Sequence, residues 1–328
     1  MLNPKVHTRT DATQALVGNS LRAGRRRRAS KRIAQAPRSA KSALQERFTW
    51  SPLDSADLLA NWRGPPQEEK PPLKVTFGGA GIFFWWELGA VLWLSENYDM
   101  SKVPMAGASG GALAATLAAC NVDPYKAAQV ADRLGKEYNI WERPLGLMGV
   151  WGDIIRVWLD ELLPENAADL CRDRVEVVVT TLPLLKLDTV SDYKSKEDLI
   201  DANLASAHVP LFLDGQMMAS LRGKMCFDGS FHDFLQCSNS CFLTCDGDAV
   251  LFDYFQDEEL KFDRFDFLSL KNYDEVMRLM EMGYAFAEKK YSRGEFDKFD
   301  TSSCAIRGLK FNKLLGMIRR NTPQLLEV

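Results

Sequence analysis

Short apolar runs that end in glycine or polar residues alternate along the chain with longer segments of helical periodicity. The short runs are typical of buried strands and the longer segments of helices. Strands are predicted over residues 73–77, 103–106, 175–180, 185–190, 224–227 and 249–254. Helices are predicted over residues 83–96, 112–120, 151–163, 197–207 and 273–290. Strands and helices that alternate in this way favour an α/β sandwich around a largely parallel sheet.

Composition sets a basic leader, residues 1–47, apart from the rest of the chain. It contains twelve of the 41 Lys and Arg residues but two of the 44 Asp and Glu residues. Because it is also rich in Ala and Ser and lacks a continuous apolar stretch, it predicts a transit peptide for a chloroplast or a mitochondrion. Its arginine block, residues 25–32, leaves a nuclear address or a patch for anionic lipid as alternatives. If the leader is not a transit peptide, a cytoplasmic or peripheral membrane location is the alternative.

Residues 48–72 predict a linker, because four prolines fall within residues 65–72 and proline is excluded from helix interiors and central strands. The folded domain is therefore expected over residues 73–328, with a helical C-terminal extension. Within that extension, apolar and basic positions alternate over residues 310–320. Either a helix on an anionic bilayer or a terminal helix packed on the domain fits this pattern.

Charge and hydropathy exclude two classes of protein. The chain has a net charge of −3, and since the leader is strongly basic the remainder is acidic. An acidic domain repels a phosphate backbone, so no nucleic-acid partner is expected. The longest apolar stretch, residues 82–94, contains Glu87. It falls short of the roughly 20 apolar residues that a transmembrane helix needs, so no membrane span is expected.

Cysteine spacing and the absence of cofactor motifs predict chemistry without a cofactor. The seven cysteines are an odd number without a disulfide framework, which is typical of free thiols. Cys237, Cys241 and Cys245 lack a second Cys or His pair nearby, so small packed side chains are favoured over a metal site. Neither HExxH nor an EF-hand loop nor a P-loop occurs, and no metal or nucleotide is expected.

The strongest chemical motif is Gly107-Ala108-Ser109-Gly110-Gly111. A G-x-S-x-G sequence between a predicted strand and a predicted helix is typical of the nucleophile elbow, whose tight turn tolerates only small neighbours around the serine. The turn exposes the hydroxyl and directs the N-terminus of the next helix at developing negative charge. A glycine-rich helix start is the alternative, but the context favours Ser109 as a nucleophile.

A second glycine loop, Gly78-Gly79-Ala80-Gly81, also joins a predicted strand to a predicted helix. It lacks the third glycine of a dinucleotide fingerprint and the Gly-Lys-Ser/Thr of a P-loop. Its backbone N–H groups suit an oxyanion hole, in which one donor contributes roughly 3–4 kcal/mol in a known hydrolase. The two loops together predict one site for acyl transfer.

The residue that acts as general base decides between a Ser-His-Asp triad and a serine paired directly with an aspartate. Of the three histidines, His7 lies in the leader, which leaves His208 and His232 for a Ser-His-Asp triad. Asp228 and His232 are only four residues apart, which hardly places two partners on different loops. Asp228, which ends a predicted strand before Gly229, takes the serine proton directly if burial raises its pKa from about 4. An ordinary Asp-Gly turn is the alternative.

Four motifs in this order resemble the patatin-like phospholipases, and their spacing resembles the subgroup that includes animal triglyceride lipases and lysophospholipases. The motifs are Thr76-Phe77-Gly78-Gly79-Ala80-Gly81-Ile82 with Gly89, Gly107-Ala108-Ser109-Gly110-Gly111, Ala205-Ser206-Ala207-His208-Val209-Pro210, and Asp228-Gly229. The resemblance implies a three-layer α/β/α fold and a Ser–Asp dyad without a histidine. It implies Ser109 as the nucleophile and Asp228 as the base. The implied oxyanion hole is formed by the backbone amides of Gly79, Ala80, Gly81 and Gly110.

Three features depart from that family's pattern. Plant patatins carry Arg-Gly after the glycine loop, where this chain has Phe83-Phe84. Ser230 follows the Asp-Gly pair and is small enough to be tolerated there. His208 stands where the family has small or apolar residues, and it is interpreted as structural because a helix C-terminus favours an imidazolium.

Aromatic residues bear on the substrate. Most are expected in the core, but some should line an apolar groove, because an acyl chain needs such a wall. The residues concerned are Phe83, Phe84, Trp85, Trp86, Trp93, Trp141, Trp151 and Trp158.

The residues and the resemblance together predict a lipid acyl hydrolase of the phospholipase A or acylglycerol lipase type. It would cleave glycerolipid acyl esters at a membrane or lipid-droplet surface, through an acyl-serine intermediate and without a cofactor. Acyl transfer to an alcohol is an alternative if water is excluded from the site. A catalytically silent lipid-binding scaffold and a Ser-His hydrolase of another fold also remain open.

Overall fold

The computed structural model describes residues 73–300, except for Cys237 and residues 261–265. The predictions for the leader, for the linker and for residues 310–320 lie outside the described residues. The elements named below all belong to the described part of the chain.

Among the described residues, seven strands form one mixed sheet. They are β1 (Lys74–Phe77), β2 (Met105–Ala108), β3 (Val175–Thr181), β4 (Lys186–Val190), β5 (Ala219–Leu221), β6 (Lys224–Phe227) and β7 (Ala249–Phe252). Their spatial order is β5-β6-β3-β2-β1-β7, and β4 also pairs with β3. Strands β7, β1, β2 and β3 are parallel, whereas β4 and β6 run antiparallel to β3.

Helices flank this sheet, which confirms the predicted three-layer α/β/α fold with a largely parallel sheet. They are α1 (Phe84–Asn97), α2 (Gly110–Ala119), α3 (Pro124–Glu137), α4 (Trp151–Leu162), α5 (Ala167–Cys171), α6 (Lys196–Ser206), α7 (Phe231–Gln236), α8 (Cys241–Thr244), α9 (Tyr273–Ser292) and α10 (Asp297–Asp300). Short 3-10 turns occupy Gly81–Phe83, Cys245–Gly247, Tyr254–Gln256 and Asp266–Leu268. Within the described part of the chain, no helix combines the length and the apolar character needed to cross a bilayer.

The central strands are buried on both faces of the sheet. In β3, Val177 and Val179 pack into the main core, whereas Val178 faces a small second cluster that Leu243 of α8 joins. Because helices cover both faces, nearly every position of such a strand is apolar. This explains why the central strands appear in the sequence as short continuous apolar runs rather than as alternating apolar and polar residues.

The second strand begins later than the sequence pattern predicts. The pattern predicts a strand over residues 103–106, but β2 begins at Met105 and ends at Ala108. Pro104 has no N–H group to donate into the ladder, so only its carbonyl takes part, as acceptor for the N–H of Val75. The correction matters for the site, because the strand now ends directly before Ser109.

A hairpin that the sequence pattern did not predict places Asp228. Its turn consists of Arg222 and Gly223, whose φ values of 50° and 79° are those of a two-residue type I′ turn. The turn joins β5 to β6, and the end of β6 pairs with Thr180 of β3 through Phe227. Asp228 therefore reaches the carboxyl end of β3 from the opposite direction.

Two glycines allow α1 and α9 to pack with their backbones in contact. A Cβ atom on Gly89 would lie 1.9 Å from the carbonyl oxygen of Met280. A Cβ atom on Gly283 would lie 1.7 Å from the carbonyl oxygen of Trp86. The first glycine loop leads through the 3-10 turn Gly81–Phe83 into α1. The contact with α9 therefore holds in place the helix to which the loop is attached.

The described cysteines are free thiols, as predicted. They are Cys120, Cys171, Cys226, Cys241 and Cys245. Cys237 and Cys304 lie outside the described residues. Among the residues that the structure describes, no group of three or more His, Cys, Asp or Glu side chains is arranged to hold a metal ion.

Replacing Gly283 by Ala should lower the free energy of unfolding by about 1–3 kcal/mol, because the added methyl group forces α1 and α9 apart. Urea unfolding followed by circular dichroism measures this change. Glu281→Ala, at an exposed position of the same helix, is the matched control and should stay within about 0.5 kcal/mol of the wild type. Equal stability of the two variants would contradict the backbone contact.

Candidate active site

Ser109 occupies the turn between β2 and α2. Its backbone has φ 54° and ψ −124°, a conformation that costs a non-glycine residue about 1–3 kcal/mol. The turn is so tight that a Cβ atom on Gly107 would lie 2.2 Å from the carbonyl oxygen of Gly111. The strand–turn–helix context that a nucleophile elbow requires is therefore present, and the backbone strain falls on the serine.

The hydroxyl of Ser109 donates a hydrogen bond of 2.7 Å to Oδ2 of Asp228. Ser109 follows β2 and Asp228 follows β6, so two strand ends supply the pair. Ser109 is 7% exposed and Asp228 is 5% exposed, which places the contact below the protein surface. The structure thus brings together the two residues that the sequence assigned to one site.

Ser230 holds the other oxygen of the Asp228 carboxylate. Oδ1 accepts hydrogen bonds from the backbone N–H of Ser230 (2.8 Å) and from its hydroxyl (2.6 Å). Burial raises the pKa of Asp228, and the hydrogen bonds from Ser230 and Ser109 offset part of that rise. The carboxylate is therefore more basic than aspartate in water, and it is fixed in orientation.

Ser206 connects the elbow to the Asp228 turn, a role that sequence reasoning did not assign. Its Oγ accepts the N–H of Ser109 (2.9 Å) and donates to the carbonyl oxygen of Val178 (2.6 Å). Its carbonyl oxygen accepts the N–H of Gly229 (2.8 Å). The signal that could have found Ser206 is its place inside the third of the motifs that resemble the family.

The first glycine loop lies against the elbow. A Cβ atom on Gly110 would be 3.2 Å from the backbone N and O of Gly81, and one on Gly79 would be 3.7 Å from Cβ of Ser109. The backbone N–H groups of Gly79, Ala80, Gly81 and Gly110 donate to no described residue, and these residues line the same cleft as Ser109. These donors are available to an anionic oxygen bound beside the serine.

Ser109 opens onto a cleft of about 740 Å³ with mostly apolar walls. Of the aromatic residues singled out in the sequence, those that line the cleft are Phe84, Trp85, Trp141, Trp151 and Trp158. Phe83, Trp86 and Trp93 do not line the cleft and are buried in the core, to which Phe84, Trp85 and Trp158 also belong. This agrees with the expectation that most of these aromatic residues lie in the core and that some line an apolar groove.

The two described histidines lie outside the serine–carboxylate contact. The ring of His208 is buried and contacts the carbonyl oxygen of Gln216 (3.3 Å) and a carboxylate oxygen of Asp214 (4.0 Å). The ring of His232 contacts the carbonyl oxygen of Leu185. Among the described residues, no imidazole is hydrogen bonded to Ser109 or to Asp228, so the hydroxyl meets the carboxylate directly.

Sequence reasoning assigned no role to three other carboxylates near the site. Asp233 and Asp253 line the cleft, and burial raises the pKa of Asp233 to about 6. Glu87 is fully buried in α1, and neither of its carboxylate oxygens has a partner among the described residues. Burial, and to a smaller extent the charge of Asp253, raises the pKa of Glu87 well above its ordinary value. No local motif distinguishes these residues from surface acids.

Comparison with known proteins points to the same part of the chain. A profile of the family described as patatin-like phospholipase matches residues 75–237. The omega-hydroxyceramide transacylase of Mus musculus is 28% identical over 171 residues, which is 51% of this chain and 28% of that protein. Patatin-like phospholipase domain-containing protein 4 of Homo sapiens is 26% identical over 177 residues, which is 50% of this chain and 66% of that protein.

A third relative is the 1-acylglycerol-3-phosphate O-acyltransferase Pnpla3 of Mus musculus. It is 28% identical over 165 residues, which is 48% of this chain and 39% of that protein. The match thus spans well under half the length of both mouse relatives. The relatives named here are animal proteins rather than plant patatins, which confirms the subgroup predicted from the sequence.

Replacing Asp228 by Asn should stabilise the fold at neutral pH. A carboxylate whose pKa is raised by folding weakens the fold as the pH rises from about 4, the unfolded value, through the folded pKa. The neutral amide avoids that loss, so we expect a higher free energy of unfolding than in the wild type at about pH 7.5 and little difference near pH 4. Urea unfolding at both pH values measures the difference.

The control is Asp173→Asn, which removes an exposed carboxylate from the turn before β3 and tolerates the same positive φ of 58°. It should leave the pH dependence of unfolding as in the wild type. If the Asp228→Asn variant shows the same pH dependence as well, the pKa of the carboxylate is not raised by burial.

Proposed function

Because this chain belongs to the patatin-like phospholipase family, we propose that it is a lipid acyl hydrolase that cleaves the acyl esters of glycerolipids. The observation that carries the proposal is the hydrogen bond of 2.7 Å from the Ser109 hydroxyl to the Asp228 carboxylate, at the end of an apolar cleft. The chemistry requires neither a metal nor an organic cofactor.

Acylation of Ser109 is the first proposed step. Asp228 takes the hydroxyl proton while Oγ attacks the ester carbonyl carbon, and a tetrahedral intermediate forms. The N–H groups of the glycine loop and of Gly110 lie where they can stabilise its negative oxygen, which is the largest contribution in related acyl-transfer chemistry. Collapse of the intermediate breaks the ester C–O bond, and the departing alcohol takes the proton from Asp228.

Deacylation repeats the same chemistry with water. Asp228 removes a proton from water, the hydroxide attacks the acyl-serine carbonyl carbon, and the fatty acid leaves as Ser109 recovers its proton. Since one carboxylate serves as base in both steps, its raised pKa supports the proposal. A stronger base accepts the proton more readily, and burial supplies that increase.

The shape of the cleft supports an acyl chain as the bound group. Its volume of about 740 Å³ lies within the roughly 300–1,000 Å³ that is usual for sites that bind small molecules. Trp141 and Phe255 line the cleft and are also 43% and 56% exposed. Exposed aromatic side chains favour the boundary of a lipid phase. We therefore propose peripheral contact with a membrane or lipid-droplet surface during catalysis.

Acyl transfer to an alcohol is the second candidate, and the names of two relatives favour it. One relative is a transacylase and another is an acyltransferase. The same acyl-serine would serve, provided that an acceptor hydroxyl replaces water in the second step. The apolar walls of the cleft are compatible with partial exclusion of water.

A fluorophosphonate probe should label the wild-type protein at Ser109, because the probe reacts only with an activated serine. The Ser109→Ala variant should not be labelled, and Asp228→Asn should lose at least about a thousandfold in rate of labelling and of ester hydrolysis. Mass spectrometry of the labelled peptide checks the position. The control is His232→Ala, which should react like the wild type. Loss of labelling in this control would point to a histidine as base.

Hydrolysis and transfer should be separated by their products. With a diacylglycerol in mixed micelles, we expect free fatty acid as the main product, because the acyl-serine is attacked by water. Addition of a monoacylglycerol acceptor should leave most of the product as fatty acid, measured by thin-layer chromatography of a radiolabelled acyl chain. Diversion of most of the label into a new ester would instead support the acyltransferase.

A further inference from the structure

The charges that line the cleft are unbalanced among the described residues. Four aspartates contribute to the lining, Asp132, Asp228, Asp233 and Asp253, against a single cation, Lys271. No arginine or histidine belongs to the described lining. A site that binds a phosphate normally supplies arginine or lysine side chains to it. The free N–H groups of this cleft are those that the proposed mechanism assigns to the ester oxygen itself.

The carboxylates without an ion-pair partner lie near the first glycine loop and near the turn that follows Asp228. Asp132 is paired with Lys136 at 2.7 Å, so its charge is largely balanced. Asp253 lies beside the first glycine loop, where its Cβ atom is 3.6 Å from the Cβ position of Gly78. Asp233 lies in the first turn of α7, five residues after Asp228.

Neither Asp233 nor Asp253 forms an ion pair with a described lysine or arginine. Asp253 accepts its hydrogen bonds from neutral groups, the side-chain amide of Asn239 (2.7 Å) and the N–H of Phe255 (3.0 Å). One oxygen of Asp233 has no hydrogen-bond partner among the described residues. His232 is the described basic group whose charge favours ionised Asp233, and Asp228 and Asp253 oppose it.

We infer that Asp233 and Asp253 restrict the proposed hydrolase to acyl esters of uncharged lipids and exclude esters that carry an anionic phosphate. The inference rests on the proposed function, since it concerns the group attached to the scissile ester. In a glycerolipid, a phosphate lies only a few bonds from the ester carbonyl, and hence near these two carboxylates when the ester is bound at Ser109. Two like charges in a partly desolvated cleft repel each other strongly.

The test compares two substrates that differ in the phosphate alone. Oleoylglycerol and its phosphorylated counterpart, an oleoyl lysophosphatidate, are presented in nonionic detergent micelles at about pH 8, where Asp233 is ionised since its pKa is about 6. The wild-type protein should show a kcat/KM for the uncharged ester at least about tenfold higher. Asp233→Asn and Asp253→Asn should each reduce that preference by about threefold to tenfold.

Two controls separate charge from general disturbance. Asp173→Asn removes the same charge before β3, away from the cleft, and should keep the wild-type preference. In the unmodified protein, raising NaCl from about 0.02 M to about 0.5 M should narrow the preference, because salt screens repulsion between charges. If Asp233 and Asp253 served only in packing, the preference would not depend on salt in this way. Because the salt series uses the wild-type protein, its result does not depend on whether any variant folds.

The outcomes distinguish this inference from the function on which it rests. Equal hydrolysis of both esters by the wild-type protein, dependent on Ser109, would overturn the selectivity and leave the hydrolase intact. A preference that neither substitution nor salt changes would also overturn it. If the wild-type protein hydrolyses neither ester, the proposed function fails and the selectivity falls with it.

Discussion

The site depends on one hydrogen bond, from the hydroxyl of Ser109 to the carboxylate of Asp228. With no imidazole between them, the two strand ends must meet within the length of that bond. The parallel centre of the sheet delivers Ser109 at the end of β2, and the β5–β6 hairpin returns Asp228 to the same end of the sheet from the other side. Ser206 then joins the two turns, because it binds the N–H of Ser109 and accepts that of Gly229.

The amino-acid sequence predicts those parts of the site whose physics is local. A serine in a turn this tight needs glycines at fixed positions, so the spacing of Gly107 and Gly111 between a predicted strand and a predicted helix favours Ser109 as the nucleophile. The three-layer fold is equally accessible, because buried parallel strands leave short apolar runs in the sequence. The predicted start of β2 is two residues early, since apolar character continues through Pro104 although pairing does not.

The parts of the site that sequence reasoning misses are set by contacts between distant segments. Ser206 is one serine among many until the fold brings it to the N–H of Ser109. Asp233 and Asp253 resemble surface acids in the sequence, and only the packing of α7 and the loop after β7 makes them part of the cleft lining. The β5–β6 hairpin escapes prediction because its Arg222-Gly223 turn lacks the asparagine or aspartate that usually marks a type I′ turn.

The glycine loop and the turn after Asp228 share a space that admits one side chain. The Cβ position of Gly79 lies only 2.2 Å from both Cβ and Oγ of Ser230. A methyl group at residue 79 and the hydroxymethyl group at residue 230 therefore exclude each other. The hydroxymethyl group of Ser230 holds the Asp228 carboxylate and fills this space, so residue 79 of the glycine loop must have no side chain. Any divergence at these two positions would have to occur as a paired exchange, in which residue 230 loses its side chain before residue 79 gains one.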